Sequence, residues 1–385
     1  MTKLQRPAVI SPAAINVTSK IRLAVIGAGH LGRIHARLAS RLPSFQLVAI
    51  ADPLQEAAAS LAEELGVEAH ASHHTLLDRI DAAVIAAPTR HHGEIGVQLL
   101  NRGIHTLIEK PLAAHAAEAS QLVACAEATK RVLQVGHVEQ FNPVFNAVRQ
   151  QIVEPKFIQA RRFSGYSFRS VDIGVVLDVM IHDLDLILSL VDSPPVSFDG
   201  LGVSVMGQHE DAADVRITFA NGCVAHLTAS RVSYQQTREM QVWCPQAVVT
   251  MNFAEHSATV VRASESLRED LPDPESMTVQ EKQRAKAELF EHYLPFEEIG
   301  VEPGNALLDE LEDFADCIET GRSPRVTGSA GQKAVACCEA VLESIAGHAW
   351  DGRPDGRCGP FAALPPITIR PPHWHTEVPG DRRAG

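Results

Sequence analysis

No apolar run in this chain approaches the roughly 20 residues that a membrane-spanning helix needs. The opening stretch, MTKLQRPAVISPAAINVTSK, lacks the roughly 7–15-residue apolar core of a signal peptide. Residues 1–20 therefore read as a flexible arm, and the protein as cytoplasmic. Cysteine is sparse: seven residues, at 125, 223, 244, 317, 337, 338 and 358, with no CxxC pair. That odd, scattered set speaks against a disulfide framework and against a zinc site. Positive charge is short, with 34 Lys and Arg against 47 Asp and Glu and a net charge of −13. General affinity for nucleic acid or anionic lipid is not expected. A local basic pocket remains compatible with this balance. Lysine is scarce, with eight in 385 residues, and no internal repeat is visible.

Histidine is abundant, at 18. The pairs His73-His74 and His91-His92, and His373 with His375, have no acidic or cysteine partner at ligand-like spacing. They read as surface or packing residues, so no metal is expected. The length suits two or three domains with a large core. A poorly ordered tail rich in Pro, Gly and Arg is expected over residues 349–385.

Residues 21–27, IRLAVIG, read as a strand, followed by a helix over His30–Arg41. Further strands are expected at Phe45–Ala51, Ala82–Ala86, Thr106–Ile108 and Val132–Val135. Helices are expected at Gln55–Leu65, His92–Asn101 and Ala113–Thr129. This alternation implies a doubly wound parallel sheet over residues 21–140, of Rossmann type. Beyond it, runs at Lys156–Arg162, Gly200–Met206, Ala213–Phe219, Gly222–Arg231, Glu239–Trp243, Ala247–Phe253 and Ser257–Arg262 read as strands. Ala220-Asn221-Gly222 is a hairpin signal. Residues 141–348 should thus form an α+β domain with a large, mostly antiparallel open sheet. Residues 264–295 read as an exposed helical excursion, and two helices, Asn305–Thr320 and Ser329–Ile345, close the domain.

Three features carry chemistry. Gly27-Ala28-Gly29-His30-Leu31-Gly32 follows a strand and opens a helix, the context that gives a GxGxxG meaning. Gly27 permits the turn, Gly29 the approach of a pyrophosphate, and Gly32 close helix packing. His30 and Leu31 lie at the helix N-terminus, where unpaired N–H groups favour phosphate. Asp52 ends the second strand, twenty positions after Gly32. It suits the ribose hydroxyls of NAD and would repel the extra phosphate of NADP. The same carboxylate could instead cap the next helix. Arg33 and Arg37, on the first helix, keep NADP open.

Second, Glu109-Lys110-Pro111 leaves an apolar strand at the carboxyl edge of the parallel sheet, where ligands bind. Burial and a neighbouring oxidised nicotinamide would lower the Lys110 pKa, so that its amine could take a hydroxyl proton. Third, Val171–Leu190 reads as one helix, apolar nearly all round. On it Asp178, His182, Asp185 and Ser189 recur at i, i+4, i+7 and i+11, one stripe that should line a cavity.

Together these motifs, with Pro88-Thr89-Arg90-His91-His92 and Gly136-His137-Val138-Glu139-Gln140-Phe141-Asn142-Pro143, resemble the glucose–fructose oxidoreductase/inositol dehydrogenase (Gfo/Idh/MocA) family. The likeness covers about residues 20–345. It implies an NAD-dependent oxidoreductase that forms homo-oligomers, dimer or tetramer, through the open sheet. It implies that Lys110 and His182 flank the reacting carbinol, with Asp178 orienting the imidazole or binding a neighbouring hydroxyl. It adds Pro88, Thr89, His92, Glu109, Lys110 and Gln140 to the cofactor site. Thr89 and Gln140 stand where the family usually has Asn and Arg. GHVEQFNP and DIGVVLDVMIHDLDLIL look most like the branch acting on UDP-N-acetylglucosamine, which oxidises the sugar 3-hydroxyl ahead of transamination to an amino sugar for lipid A or surface polysaccharide. That implies Asn142 as a substrate contact and a cation for the pyrophosphate, from among Arg161, Arg162, Arg169 and Arg231. A free sugar or polyol dehydrogenase, and a non-catalytic NAD-binding regulator, are the alternatives.

Overall fold

Six parallel strands and eight mostly antiparallel ones make two sheets that share one long helix. The computed structural model describes residues 20–168, 172–269, 273–350 and 356–362. The first sheet alternates with helices: β1 (Ile21–Ile26), α1 (His30–Ala39), β2 (Phe45–Ala51), α2 (Gln55–Leu65), β3 (Glu68–His70), β4 (Ala82–Ile85), α3 (His92–Asn101), β5 (His105–Glu109), α4 (Ala116–Thr129) and β6 (Leu133–Gly136). The strand order is β3-β2-β1-β4-β5-β6, all parallel. This is the doubly wound order whose reversal, between β1 and β4, opens a ligand crevice at the carboxyl edge. Helices cover both faces, so β4 and β6 are buried throughout.

The second part starts with α5 (Pro143–Val148) and β7 (Phe157–Phe163) and reaches α6 (Ile181–Leu190). Then come β8 (Pro195–Val203), β9 (Ala212–Phe219), β10 (Val224–Ser230), β11 (Thr237–Trp243), β12 (Ala247–Asn252) and β13 (Ser257–Arg262). After α7 (Glu265–Glu269) and α8 (Val279–Ala287), β14 (Phe296–Ile299) pairs with β13, and α9 (Ala306–Thr320) and α10 (Gly328–Gly347) follow. The sheet order is β14-β13-β12-β11-β7-β10-β9-β8, parallel only between β7 and β10. Ile158, Leu227 and Met240 point to one face and form a core with Leu184 and Ile187 of α6. The β9–β10 hairpin turns at Gly222, with φ +84, and Asn221 Oδ1 accepts the Cys223 amide.

Several expectations need correction. The helix expected over Val171–Leu190 is not regular: a π turn, Val176–Met180, precedes α6. One residue inserted per turn shifts the stripe, which a fixed 3.6-residue period cannot anticipate. β3 and β14 are short edge strands with weak alternation, and β14 follows directly after the excursion. The domain boundary also differs. α9 packs Leu311 and Phe314 into the first core beside Leu23 and Val25, so the chain returns to the Rossmann half. α10 spans both halves, with Val335 in one core and Val341 in the other. Part of the expected loose tail is docked: the Ser204 amide donates to Pro360 O at 3.0 Å, and Trp350 Nε1 to Gly359 O. All seven cysteines are free thiols. Among the described residues no helix is long and apolar enough to cross a membrane. The N-terminal arm before Lys20, Arg169, His373 and His375 lie outside the described residues.

Candidate active site

The glycine turn is sterically dictated. Gly27 has φ +106, and a Cβ there would stand 2.4 Å from Ala86 O. A Cβ on Gly32 would stand 1.8 Å from Gly27 O. At Gly29 a Cβ would meet nothing within 4 Å. The protein itself therefore does not require this glycine, which leaves open space in front of the turn. Gly29 caps α1 without a side-chain hydrogen bond, and no acidic residue lies in the first turn. His30 is exposed and Leu31 half-buried at this end. The free N–H groups and the open space suit a dinucleotide pyrophosphate. Asp52 Oδ2 accepts the Ala28 amide at 2.7 Å and Oδ1 the Leu54 amide at 2.8 Å. Asp52 thus both braces the turn and serves the start of α2, and each oxygen keeps a second lone pair.

At the β5 edge, Lys110 Nζ donates to Asp178 O at 2.6 Å and to Asp178 Oδ1 at 3.2 Å. The pair is mostly buried, with side chains 13% and 19% exposed. The motif from the first half and the helix from the second do meet. Glu109 points the other way. Its Oε1 pairs with His35 Nε2 at 2.7 Å and its Oε2 accepts the Lys110 amide. Burial pushes this carboxyl up, but His35 and Lys110 outweigh it and hold it low. Glu109 therefore fixes the lysine backbone instead of facing the cofactor. His92 is also spent on structure: its ring nitrogens face Pro111 O and Ala87 O, each at 2.8 Å, tying the loops after β4 and β5 together. Thr89 is buried in the short turn after Pro88, which is exposed.

On the helix, His182 is half-buried, and its Nδ1 is sealed off without a partner. Burial first, then the charges of Lys110 and Arg162, hold its pKa well below the ordinary value. The imidazole is thus held toward its neutral form, able to accept a proton. Asp178 makes no hydrogen bond to His182, contrary to expectation, because the π turn directs it to Lys110. Asp185 is buried and accepts Gln140 Nε2 at 2.7 Å. Gln140 thus links the two halves through its amide nitrogen. Asn142 is likewise occupied: Oδ1 caps α5 through the Val144 amide, and Nδ2 donates to Glu139. Ser189 is exposed and donates to Leu186 O, outside the site.

The cations expected to meet phosphate are placed elsewhere. Arg162, on the α6 face of β7, is buried and pairs with Glu139 at 2.8 Å and Asp183 at 2.7 Å. Arg231 is buried against Asp211 at 2.8 Å and donates to Ile173 O. Arg161 lies on the opposite face of the sheet, over the Phe163 ring. Strand alternation, visible in the sequence, separates Arg161 from Arg162; which face looks toward α6 was not visible there.

Three groups near the site were not singled out from sequence. Asp183 anchors Arg162 and so holds α6 against β7. His137, directly after β6, is fully buried with neither ring nitrogen partnered. Its place at the carboxyl edge of a parallel strand was the available signal. Glu310 of α9 lies within 4.8 Å of the His35–Glu109 pair. Both of its oxygens are buried without partners, and burial and Glu109 push its carboxyl well upward.

Comparison with known proteins agrees with this fold. The family model described as oxidoreductase family, NAD-binding Rossmann fold matches residues 21–137, and the GFO/IDH/MocA C-terminal domain matches residues 150–250. UDP-N-acetylglucosamine 3-dehydrogenase of Acidithiobacillus ferrooxidans is 32% identical over 326 residues, 84% of this chain and 97% of that one. Its solved structure superposes with a TM-score of 0.74 at 30% identity, covering 85% of this chain and 98% of that one. The scyllo-inositol 2-dehydrogenase (NAD(+)) of Bacillus subtilis is 27% identical over 80% of this chain and 89% of that one. Levoglucosan dehydrogenase in complex with NADH shares the fold, with a TM-score of 0.72 at 18% identity over 85% of this chain and 97% of that one. Both halves of the chain are thus matched together: the chain belongs to the Gfo/Idh/MocA oxidoreductase family.

Proposed function

We propose that this oxidoreductase is an NAD-dependent dehydrogenase of a sugar nucleotide that converts the 3-hydroxyl of UDP-N-acetylglucosamine to a ketone. The observation that carries this reading is Lys110 Nζ held at Asp178, one helical turn before a neutral His182. The substrate class is supported by 32% identity to a UDP-N-acetylglucosamine 3-dehydrogenase along 97% of its length. The preference for NAD is supported by Asp52 and by the occupation of both nearby arginines. Arg33 Nε donates to Ala28 O, and Arg37 pairs with Glu64 at 2.7 Å.

Bound at the glycine turn, NAD supplies the hydride acceptor. The chain manages the proton. Lys110 gives up its Asp178 contacts for the substrate hydroxyl, and His182 offers a neutral ring nitrogen to the same oxygen. Asp178 then receives or steadies the ammonium as the carbonyl forms. Glu109 and His35 keep the Lys110 backbone in place. The ketone is a substrate for transamination to an amino sugar. A cytoplasmic location and a homodimer or homotetramer through the outer sheet face complete the reading.

A free cyclitol substrate is the second reading, favoured by the match to inositol dehydrogenases. A regulatory NAD-binding protein would have no need to hold Lys110, Asp178 and His182 together. The test is formation of NADH from NAD with UDP-N-acetylglucosamine, other UDP-sugars and inositols. Reduction with UDP-N-acetylglucosamine is expected. Reduction by inositol and by no UDP-sugar would replace the substrate assignment.

A further inference from the structure

A sugar nucleotide brings two phosphates, and the structure removes the arginines that sequence suggested for them. Arg162 and Arg231 are consumed by buried carboxylates, and Arg161 lies on the wrong face. In a hexose the anomeric carbon and C3 are separated only by C2, so the diphosphate leaves the ring close to the 3-hydroxyl. With that hydroxyl at Lys110 and His182, the diphosphate must meet a cation beside these residues.

Arg238 stands there. It is the second residue of β11 and lies directly opposite Arg162 in the antiparallel β7–β11 register. Residues opposite each other across such a pair project to the same face. That face is the one covered by α6, since Met240 and Val242, two and four residues on, are buried in its core. Arg162 in turn holds Asp183, the residue after His182. Unlike Arg162, Arg238 is exposed, and among the described residues no carboxylate is paired with its side chain. Its charge nevertheless reaches the site, where it helps Lys110 and Arg162 hold the His182 imidazole low and helps Arg162 hold the Glu139 carboxyl low. An exposed guanidinium on this face can bind phosphate in a bidentate manner.

We infer that Arg238 is the diphosphate-binding residue of the substrate site, setting the preference for a sugar nucleotide over a free sugar. This rests on the reading above that the substrate is a UDP-sugar. The competing role is balance of charge, because Glu139 and Asp183 together carry one more negative charge than Arg162 offsets.

The experiment compares the full-length wild type with Arg238→Ala and Arg238→Lys. Steady-state kinetics with UDP-N-acetylglucosamine and NAD, calorimetric binding of UDP to the NAD-loaded protein, and thermal unfolding are measured. Loss of a charge-assisted phosphate contact should raise KM and the UDP dissociation constant by about tenfold or more in Arg238→Ala, with a smaller fall in kcat. Arg238→Lys should recover part of that loss as a point charge. If Arg238→Ala keeps KM and UDP binding within about twofold while its unfolding temperature or kcat falls, Arg238 balances charge and the inference is overturned. If the wild type neither turns over a UDP-sugar nor binds UDP, the substrate reading fails and takes the inference with it. Turnover by the wild type with unaltered binding in Arg238→Ala removes the inference alone.

Discussion

Lys110 Nζ lies 2.6 Å from the main-chain oxygen of Asp178, closer than the 3.2 Å to its carboxylate. That carbonyl belongs to the π turn Val176–Met180, an irregularity of a kind that recurs at functional sites. The helix thus offers the lysine a backbone acceptor that survives changes to the Asp178 side chain. Asp178→Asn should therefore lower kcat only about tenfold, less than loss of the lysine itself. Equal losses in Asp178→Asn and Lys110→Met would show that the carboxylate, and not the carbonyl, holds the amine.

The last two glycines of the turn, Gly29 and Gly32, should fail differently. In Gly32→Ala the new methyl meets Gly27 O, so the strand-to-helix turn must move. A cost of about 1–3 kcal/mol or more in unfolding free energy is expected. Gly29→Ala has open space and should fold normally, yet its methyl occupies the pyrophosphate approach. Its NAD affinity should fall about tenfold with little change in stability. Denaturant unfolding and NAD titration separate the two.

Glu310 gives the stability a pH dependence. Its folded pKa is raised by burial, Glu109 and Asp313, so the native state holds this proton more tightly than the unfolded chain does. The contribution is complete below the unfolded value of about 4.3 and is lost as pH rises toward the folded value. Glu310→Gln removes the titration. Its melting temperature should be less sensitive to rising pH than the wild type's and should exceed it on the alkaline side. His35, Glu109 and Asp313 are the charged or titratable neighbours that share the effect. Parallel melting curves across pH would refute it.

Arg162 clamps the two halves. Removing it in Arg162→Leu leaves Glu139 and Asp183 buried without their cation. A loss of about 3–5 kcal/mol is expected from breaking such a pair on one side. Chemical denaturation measures it, and a loss below about 1 kcal/mol, the scale of a surface pair, would contradict the buried assignment.

The parts legible in sequence are those whose physics is local. The glycine turn shows itself because Gly32 packs on Gly27 O within the same motif, and the Asn221-Gly222 hairpin because the turn chemistry lies within its own residues. Lys110 was legible from its place at a strand exit. Gln140 and Arg162 read differently in sequence because the partners that claim them are set by tertiary contact, whereas Asn142 is taken up locally, as the cap of α5. Asp185 lies 45 positions from Gln140, and Asp183 lies 21 from Arg162. The π turn was hidden because a single inserted residue leaves the hydrophobic pattern nearly helical. Arg238 was invisible because it falls just before the strand expected at Glu239–Trp243, and only pairing with β7 shows which face it shares.

The most direct measurement is single-turnover NADH formation by Lys110→Met, with NAD binding measured on the same sample. Methionine keeps the length of the side chain and removes the amine. Retained NAD binding with turnover reduced about 10²–10⁴-fold is expected for loss of a positioned base. Full turnover by a variant that binds NAD normally would contradict the role given to Lys110, and with it the proposed chemistry.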